Sequence, residues 1–553
     1  MRINAFVVII LLLVSLSMVY AQIQASAVFV NGKIWTGEKG SPEARSLAVY
    51  GERIVAVGEA KDMEPYKGPQ TKVVDLKGRR VLPGFNDAHV HFVSGGFSLL
   101  GIDLRKARNA QEFRNILQEY AAKLPPGRWI TGGDWDHEAW PEKKWPTKEL
   151  IDDVTPQNPV LVSRLDGHIS LANSLALKMA GIDKNTPDPF GGFIAHDDKS
   201  SEPTGILKDN AANLVYRFIP SPSPAEVLEA ARAAQEHALS VGVTSLQDMN
   251  PSTEELRIYQ QMYREGEIKV RLYVFQPGHL IRELGDVGIQ MAFGNAWLRV
   301  GGIKLYADGS MGAGSALFYQ PYEDDPSTSG LAIQPKDELI RLVTQADSVG
   351  LQIALHAIGD KANTWALDAF EQAAQHNGRR DSRHRIEHAQ VVLEKDLPRF
   401  AELGVIASVE PSHCIDDMRW AEQRIGARAK QSYLWKSFAD HHASMAFGTD
   451  WSVEPLNPML GLYAAITREF PEGDPQGGWY PKEKIGLEEA IRYYTAGSAF
   501  AEFMEHEKGT LAPGKLADFV VLDQDILHLP AKDILKTRVM MTVGGGKIMF
   551  QRE

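Results

Sequence analysis

The 553-residue chain predicts an α/β protein. It reads as a (β/α)8 (TIM) barrel over residues 81–504, with a long insertion after the first strand (within 88–240). A small β-sandwich is built from residues 22–80 and 505–553. Three observations carry this. Eight short apolar runs alternate with amphipathic helical patterns through the middle of the chain, the signature of βα units and a parallel sheet. The gap between the first and second runs, about 155 residues rich in Trp, Gly and Pro, is too long for a loop. Both ends of the chain instead show short alternating strands broken by turns, which suits an antiparallel sheet with one solvated face.

In chain order, residues 1–21 read as an export leader. Arg2 precedes the uncharged run Phe6–Leu16, and Val19 and Ala21 stand at −3 and −1 of a cleavage point after Ala21. The apolar core falls short of the roughly 20 residues a spanning helix needs, and Gln22 and Gln24 interrupt it. Cleavage and a periplasmic or extracellular location are therefore expected over an uncleaved anchor. Ala27–Lys33 and Ser46–Val57 follow as strands, with turns at Asn31-Gly32 and Tyr50-Gly51. The barrel strands are expected at Val81–Asp87, Val243–Asp248, Arg271–Gln276, Ile303–Ala307, Gln352–His356, His384–His388, Val405–Val409 and Met445–Thr449. Helical patterns lie between them at Glu226–Leu239, Thr253–Tyr263, Glu338–Ser348, Asn363–Gln375 and Lys395–Leu403. Phe519–Leu522, Val539–Val543 and Lys547–Phe550 return to strand patterning and complete the sandwich.

Composition narrows the function. With 59 Lys+Arg against 71 Asp+Glu the net charge is −12, which argues against a general nucleic-acid binder. The single cysteine, Cys414, excludes an intramolecular disulfide and any Cys-based zinc finger or iron–sulfur cluster. Metal chemistry would have to rest on the 16 histidines and the carboxylates.

Active sites of such barrels collect at the C-terminal ends of the strands. The first run ends in Asp87-Ala-His89-Val-His91, the fourth holds Lys304-Leu-Tyr-Ala-Asp308, and the fifth ends in His356. The sixth ends in Glu387-His388 and the eighth in Thr449-Asp450. Residues two apart on a strand share a face, roughly 6–7 Å between Cα atoms, which lets His89 and His91 close on one cation. About half an HxH is expected by chance in a chain with this many histidines, so the pair alone is weak. Four histidines and an aspartate at the ends of four strands, with no matching cluster at the strand starts, are a stronger signal. His441-His442 precede the eighth strand, at the wrong end, and read as structural.

The motifs resemble the amidohydrolase superfamily, and more closely its amidohydrolase-3 branch of YtcJ-like proteins and N-substituted formamide deformylases. The resemblance covers nearly the whole mature chain. It rests on Val81-Leu-Pro-Gly-Phe-Asn-Asp-Ala-His-Val-His91, Leu165-Asp-Gly-His168, Pro203-Thr-Gly-Ile-Leu and Lys304-Leu-Tyr-Ala-Asp-Gly-Ser. It continues through His356-Ala-Ile-Gly-Asp, Arg385-Ile-Glu-His388, Glu410-Pro-Ser-His413, Gly448-Thr-Asp450 and Gly509-Thr-Leu-Ala-Pro-Gly-Lys-Leu-Ala-Asp518.

The resemblance implies that His89 and His91 bind one metal, His356 and His388 a second, that Lys304 bridges them, and that Asp450 completes the first site. Donors of this kind suit zinc, with manganese, iron or nickel as alternatives. An ammonium beside two dications is repelled, so Lys304 is expected as a carbamate; the alternative is an ordinary lysine paired with Asp308. Asp450 is expected to serve as general base and then acid, and His413 to polarise or position the substrate. Trp135, Asp166 and His168 are expected as pocket walls. Asp308 is expected at the substrate or behind the ligating imidazoles, like Asp360 and Glu387, although each also reads as a loop carboxylate capping a helix. The implied activity is hydrolysis of a non-peptide C–N bond in a small molecule, with no nucleic-acid partner, no membrane contact after leader removal, and a homodimer as the default assembly. The competing readings are a deaminase, against which Lys304 counts, an ester or lactone hydrolase, and a non-catalytic binding barrel, which predicts damage at the metal positions.

Overall fold

The computed structural model describes residues 24–553 apart from Asp166, so the expected leader lies outside the described residues. Among the described residues, no helix is long and apolar enough to cross a membrane. The barrel strands are β1 (Phe85–Val90), β2 (Val243–Met249), β3 (Arg271–Pro277), β4 (Leu298–Tyr306), β5 (Gln352–Ala357), β6 (Arg385–His388), β7 (Ile406–Val409) and β8 (Met445–Phe447). They pair in sequence order, parallel throughout, from β1 to β8. The strands are buried along nearly their whole length, inside by the barrel centre and outside by helices, although most carry polar residues such as Asn86, Gln247, Arg385 and Glu387. Two of the helices start at capping boxes that the sequence supplies. Ser223 and Glu226 form a reciprocal capping box at Pro224–Ser240, with proline in the first turn, and Ser252 and Glu255 do the same at Thr253–Arg264.

The first expected strand is two strands. Arg80–Pro83 belongs to the sandwich, where it pairs with Phe519–Leu522, and only Phe85–Val90 enters the barrel. The break falls at Gly84, where a Cβ would stand 2.3 Å from Thr244 Oγ1, so only glycine lets the chain cross between domains there. The run Ala27–Lys33 is divided in the same way by Asn31, whose φ of 58° turns the chain. Ala27–Val30 joins one sheet of the sandwich and Lys33–Trp35 the other. Phe29, Leu47, Val81 and Phe519 fill the space between the two sheets.

The interval after β1 is a folded unit. It forms a six-stranded mixed sheet, ordered Gly192–His196, Pro203–Asp209, Ile169–Ala172, Val160–Arg164, Ile130–Trp135 and Ile102–Asp103. Its tryptophans are part of its own core. Trp135 and Trp140 pack around Phe113, and their indole N–H groups donate to the carbonyls of Val162 and Ala107, both at 3.0 Å.

Buried charges join the sandwich to the base of the barrel. Arg271, which opens β3, donates from Nε and Nη2 to Asp518 at 2.6 and 2.9 Å, and Asp518 also accepts from Gly545 N–H at 2.7 Å. Both side chains are under 5% exposed. Removing one partner of such a pair strands the other charge. Asp518→Ala is therefore expected to cost about 3–5 kcal/mol of stability, read as a lowered denaturation midpoint; a change within ordinary surface-mutant scatter would show the tie to be dispensable.

Candidate metal centre

The barrel closes where the candidate ligands lie. β1 and β8 share no regular ladder, but Asp450 N–H donates to His89 C=O at 2.7 Å and His91 N–H to Trp451 C=O at 2.6 Å. Asp450 takes a left-handed conformation (φ 55°), which turns its side chain off the strand direction. Its Oδ1 is 3.3 Å from His91 Nε2 and 3.5 Å from His89 Nε2.

Each of the four strand-end imidazoles has one ring nitrogen engaged by an acceptor behind it. His89 Nδ1 is 2.6 Å from Glu387 Oε2, and His91 Nδ1 is 3.1 Å from Met249 C=O. His388 Nδ1 is 2.9 Å from Glu410 Oε2, and His356 Nε2 is 3.1 Å from Gly309 C=O. An acceptor on one nitrogen holds the ring proton there and leaves the other nitrogen a lone pair, the state a metal ligand needs. The rings converge, with centroids 4.6 Å apart for His356 and His388, 4.9 Å for His89 and His388, and 5.7 Å for His89 and His91. His89 Nε2 and Asp450 Oδ1 are buried without hydrogen bonds, which is costly unless a cation compensates them. Ligand atoms of His89, His388 and Asp450 lie within 4.8 Å of one another. The donor set fits a divalent ion.

Lys304 points from β4 into the same space and is buried, with Nζ 5.1 Å from the Tyr306 ring centre. Burial lowers its pKa, opposed in part by the carboxylates of Glu387, Asp450 and Glu410. The ion pair with Asp308 does not form. Asp308 instead accepts the N–H groups of Leu317, Ile358 and Gly359 at 2.8–3.0 Å. Burial also pushes the His89 pKa well down, helped by the Lys304 charge. At His388 burial acts in the same direction, but the Glu410 carboxylate outweighs it and the pKa rises.

The site opens into a cavity of about 360 Å³ between the barrel mouth and the insertion. His413, on the helix Pro411–Asp417, stacks on His388 at 6.0 Å, with Nε2 3.9 Å from Asp450 Oδ2. His168 lines the cavity, its Nδ1 2.8 Å from Asp209. Asp166 falls outside the described residues. Two expected positions need correction. Trp135 is fully buried in the core of the insertion and does not line the cavity, because its ring fills the sheet-to-helix space there. Asp308 is likewise off the cavity wall, since three backbone donors engage its carboxylate and make it a staple for the loops after β4 and β5, but its Oδ1 lies 3.6 Å from His356 Nε2, behind that imidazole as the other expectation had it. Glu387 sits behind His89, and Asp360 accepts Tyr319 N–H at 3.0 Å from the first turn of its helix. His441 caps its helix through the Ser437 carbonyl.

The sequence reading did not single out Tyr306, Glu410, Asp416 or Glu454. Tyr306 lies two residues beyond Lys304, so the period of a strand pointed to it. Glu410 directly follows β7 and was within reach of the same strand-end inspection. Asp416 lies on the short helix Pro411–Asp417 and Glu454 in a loop, and neither segment is long enough for periodicity to mark a side chain.

Residues 72–550 match the model of the amidohydrolase family (Amidohydro_3). Protein LONG AFTER FAR-RED 3 of Arabidopsis thaliana is 38% identical over 96% of this chain and 92% of its own length. The putative amidohydrolase YtcJ of Bacillus subtilis is 31% identical, covering 95% and 99%. N-substituted formamide deformylase of Arthrobacter pascens is 26% identical, covering 95% and 98%. The crystal structure of an uncharacterized metal-dependent hydrolase from Pyrococcus horikoshii superposes with a TM-score of 0.75 at 31% identity, over 91% of this chain and 99% of that one.

Carboxylates behind ligating imidazoles set ligand orientation and basicity. Glu387→Gln is expected to weaken divalent-metal affinity about 10- to 100-fold in a chelator competition; unchanged affinity would remove Glu387 from the support of the site.

Proposed function

Because the chain belongs to the amidohydrolase family, we propose that this metal-dependent hydrolase cleaves a non-peptide C–N bond, an amide, formamide or cyclic amide, in a small molecule. One observation carries the reading: four imidazoles, each held at one ring nitrogen by an acceptor, cluster at the strand ends, and the free nitrogens of His89 and His91 lie 3.5 and 3.3 Å from Asp450 Oδ1. His89, His91 and Asp450 would hold one divalent ion and His356 and His388 a second, with Lys304 between them; zinc suits these donors best. Bound there, the ions supply Lewis-acid polarisation of a carbonyl and lower the pKa of water.

The chain supplies the rest. Asp450 is placed to take a proton from water and return it to the leaving nitrogen. His413, within reach of Asp450, orients the substrate from the opposite wall. Burial favours the neutral amine of Lys304, the form that adds to carbon dioxide. The new N–C bond then yields a carbamate anion with loss of one proton, and the anion replaces an ammonium that two dications would repel. The substrate class is supported by the name of the Arthrobacter relative, which acts on N-substituted formamides. All of the expected ligand positions are present, which counts against a barrel that has lost turnover.

Metal-loaded protein is expected to hold two zinc equivalents and to turn over at least one compound in a screen of N-formyl, N-acyl, ureide and ester substrates. Chelated protein should recover fully only when bicarbonate is supplied with zinc. His89→Ala combined with His91→Ala should abolish turnover with the far-ultraviolet circular dichroism unchanged; retained turnover in that variant would sink the assignment. We also propose that the enzyme works outside the cytoplasm, from the composition of residues 1–21. The exported protein should begin at Gln22, and an N-terminus that keeps the apolar run would favour an anchor.

A further inference from the structure

Arg105 lies just beyond the first short strand of the insertion, Ile102–Asp103. It stands behind the cavity wall and touches both loops that carry the proton-handling candidates. Its Nη1 donates to the carbonyl of Val453 at 2.6 Å, and its Nη2 is 3.5 Å from both Asp416 Oδ2 and Glu454 Oε2. Val453 closes the turn that Asp450 begins, since Val453 N–H donates to Asp450 C=O at 2.7 Å. Asp416 is three residues after His413 on the helix Pro411–Asp417, so the two side chains share a face. Arg419 also holds Asp416, at 2.7 Å on its other oxygen, but it belongs to the same β7 loop and ties nothing across the mouth. Asp416, Val453 and Glu454 all line the cavity.

A guanidinium is a planar fork whose donors point in fixed directions, so it can hold two segments at one separation where a flexible ammonium cannot. We propose that Arg105 is a positioning residue. It fixes the β8 loop bearing Asp450 against the β7 helix bearing His413, and it makes that spacing depend on the insertion. Its effect on turnover rests on the proton-handling roles proposed above for Asp450 and His413; its effect on loop order does not.

The test uses the full-length, zinc-loaded protein carrying Arg105→Met or Arg105→Lys. In Arg105→Met, amide hydrogen exchange is expected to quicken about tenfold or more in both 411–417 and 450–457, with the barrel strands and zinc content at wild-type values. With the best compound of the substrate screen, kcat should fall about 10- to 100-fold while KM stays within about threefold, because misplacement of reacting groups acts on the chemical step. Arg105→Lys, which keeps the charge without the fork, should lie between wild type and Arg105→Met in both readouts, and it decides the matter if Arg105→Met does not fold. Wild-type exchange rates in either loop overturn the inference, whatever the activity. A kcat unchanged in a variant with loosened loops overturns the catalytic part. Inactive wild-type protein would instead sink the hydrolase reading, and exchange alone would then decide the role of Arg105.

Discussion

The geometry of the barrel mouth depends on one buried carboxylate. Glu387 is fully buried and sits between Arg385 and His89. Arg385 Nε donates to its Oε1 at 2.5 Å, and its Oε2 is 2.6 Å from His89 Nδ1. Burial alone would raise the Glu387 pKa, but the Arg385 guanidinium, together with the charges of Lys304 and His388, holds the carboxyl below its ordinary value. A charge in this position persists only when fully paired, and the pairing reaches around the barrel. Arg385 also donates to Ala88 C=O, Gln247 and Ser408, so one side chain from β6 ties β1, β2 and β7. The layer beneath the site is therefore a charged lock that fixes the distances between strands, where an apolar layer would tolerate small slips. His89 inherits its tautomer and its aim from that lock.

The seam between β1 and β8 solves a second problem. With few ladder bonds available, side chains close it. Asp87 accepts from Thr449 N–H at 3.0 Å, Thr449 Oγ1 at 2.7 Å and His89 N–H at 3.1 Å. Burial pushes the Asp87 pKa up to about 7, against these hydrogen bonds. The backbones approach so closely that a Cβ on Gly448 would lie 2.6 Å from His89 N. The Gly448-Thr449-Asp450 motif is thus a closure device as well as a source of a ligand. The glycine admits the neighbouring strand, the threonine locks it, and the aspartate is delivered beside His89 and His91.

The parts of this arrangement that were legible in the sequence are those with a period. Strand alternation placed His89 with His91, and the rule that sites gather at strand ends assembled His356, His388 and Asp450 from distant positions. The boundaries of β2 to β8 came within a few residues because apolar runs and capping residues mark them locally. The Ile303–Ala307 run was the least complete, since β4 begins five residues earlier at Leu298, across glycines that carry no apolar signal. The first strand was misread as one because Val81-Leu-Pro and Phe85-Asn-Asp form a continuous pattern; only the three-dimensional approach of Thr244 reveals the break at Gly84. Trp135 and Asp308 were misplaced for a related reason. An aromatic ring or a carboxylate near a site by sequence can be consumed by its own fold, and the acceptors and donors that consume them come from segments that sequence order does not connect.

The insertion shows why a folded sheet, and not a long loop, covers this mouth. A loop of such length would have to order its own backbone while presenting charged groups at fixed distances, and the conformational entropy would work against it. The six-stranded unit removes that cost by building its own core around Trp135, Trp140, Leu161 and Leu171. The ends of two of its interior strands can then present Asp136 and Arg164, held together at 2.9 Å, as part of the cavity wall. The buried tryptophans therefore bear on recognition indirectly. They seat the wall on a packed core, so that the polar groups upon it keep their spacing.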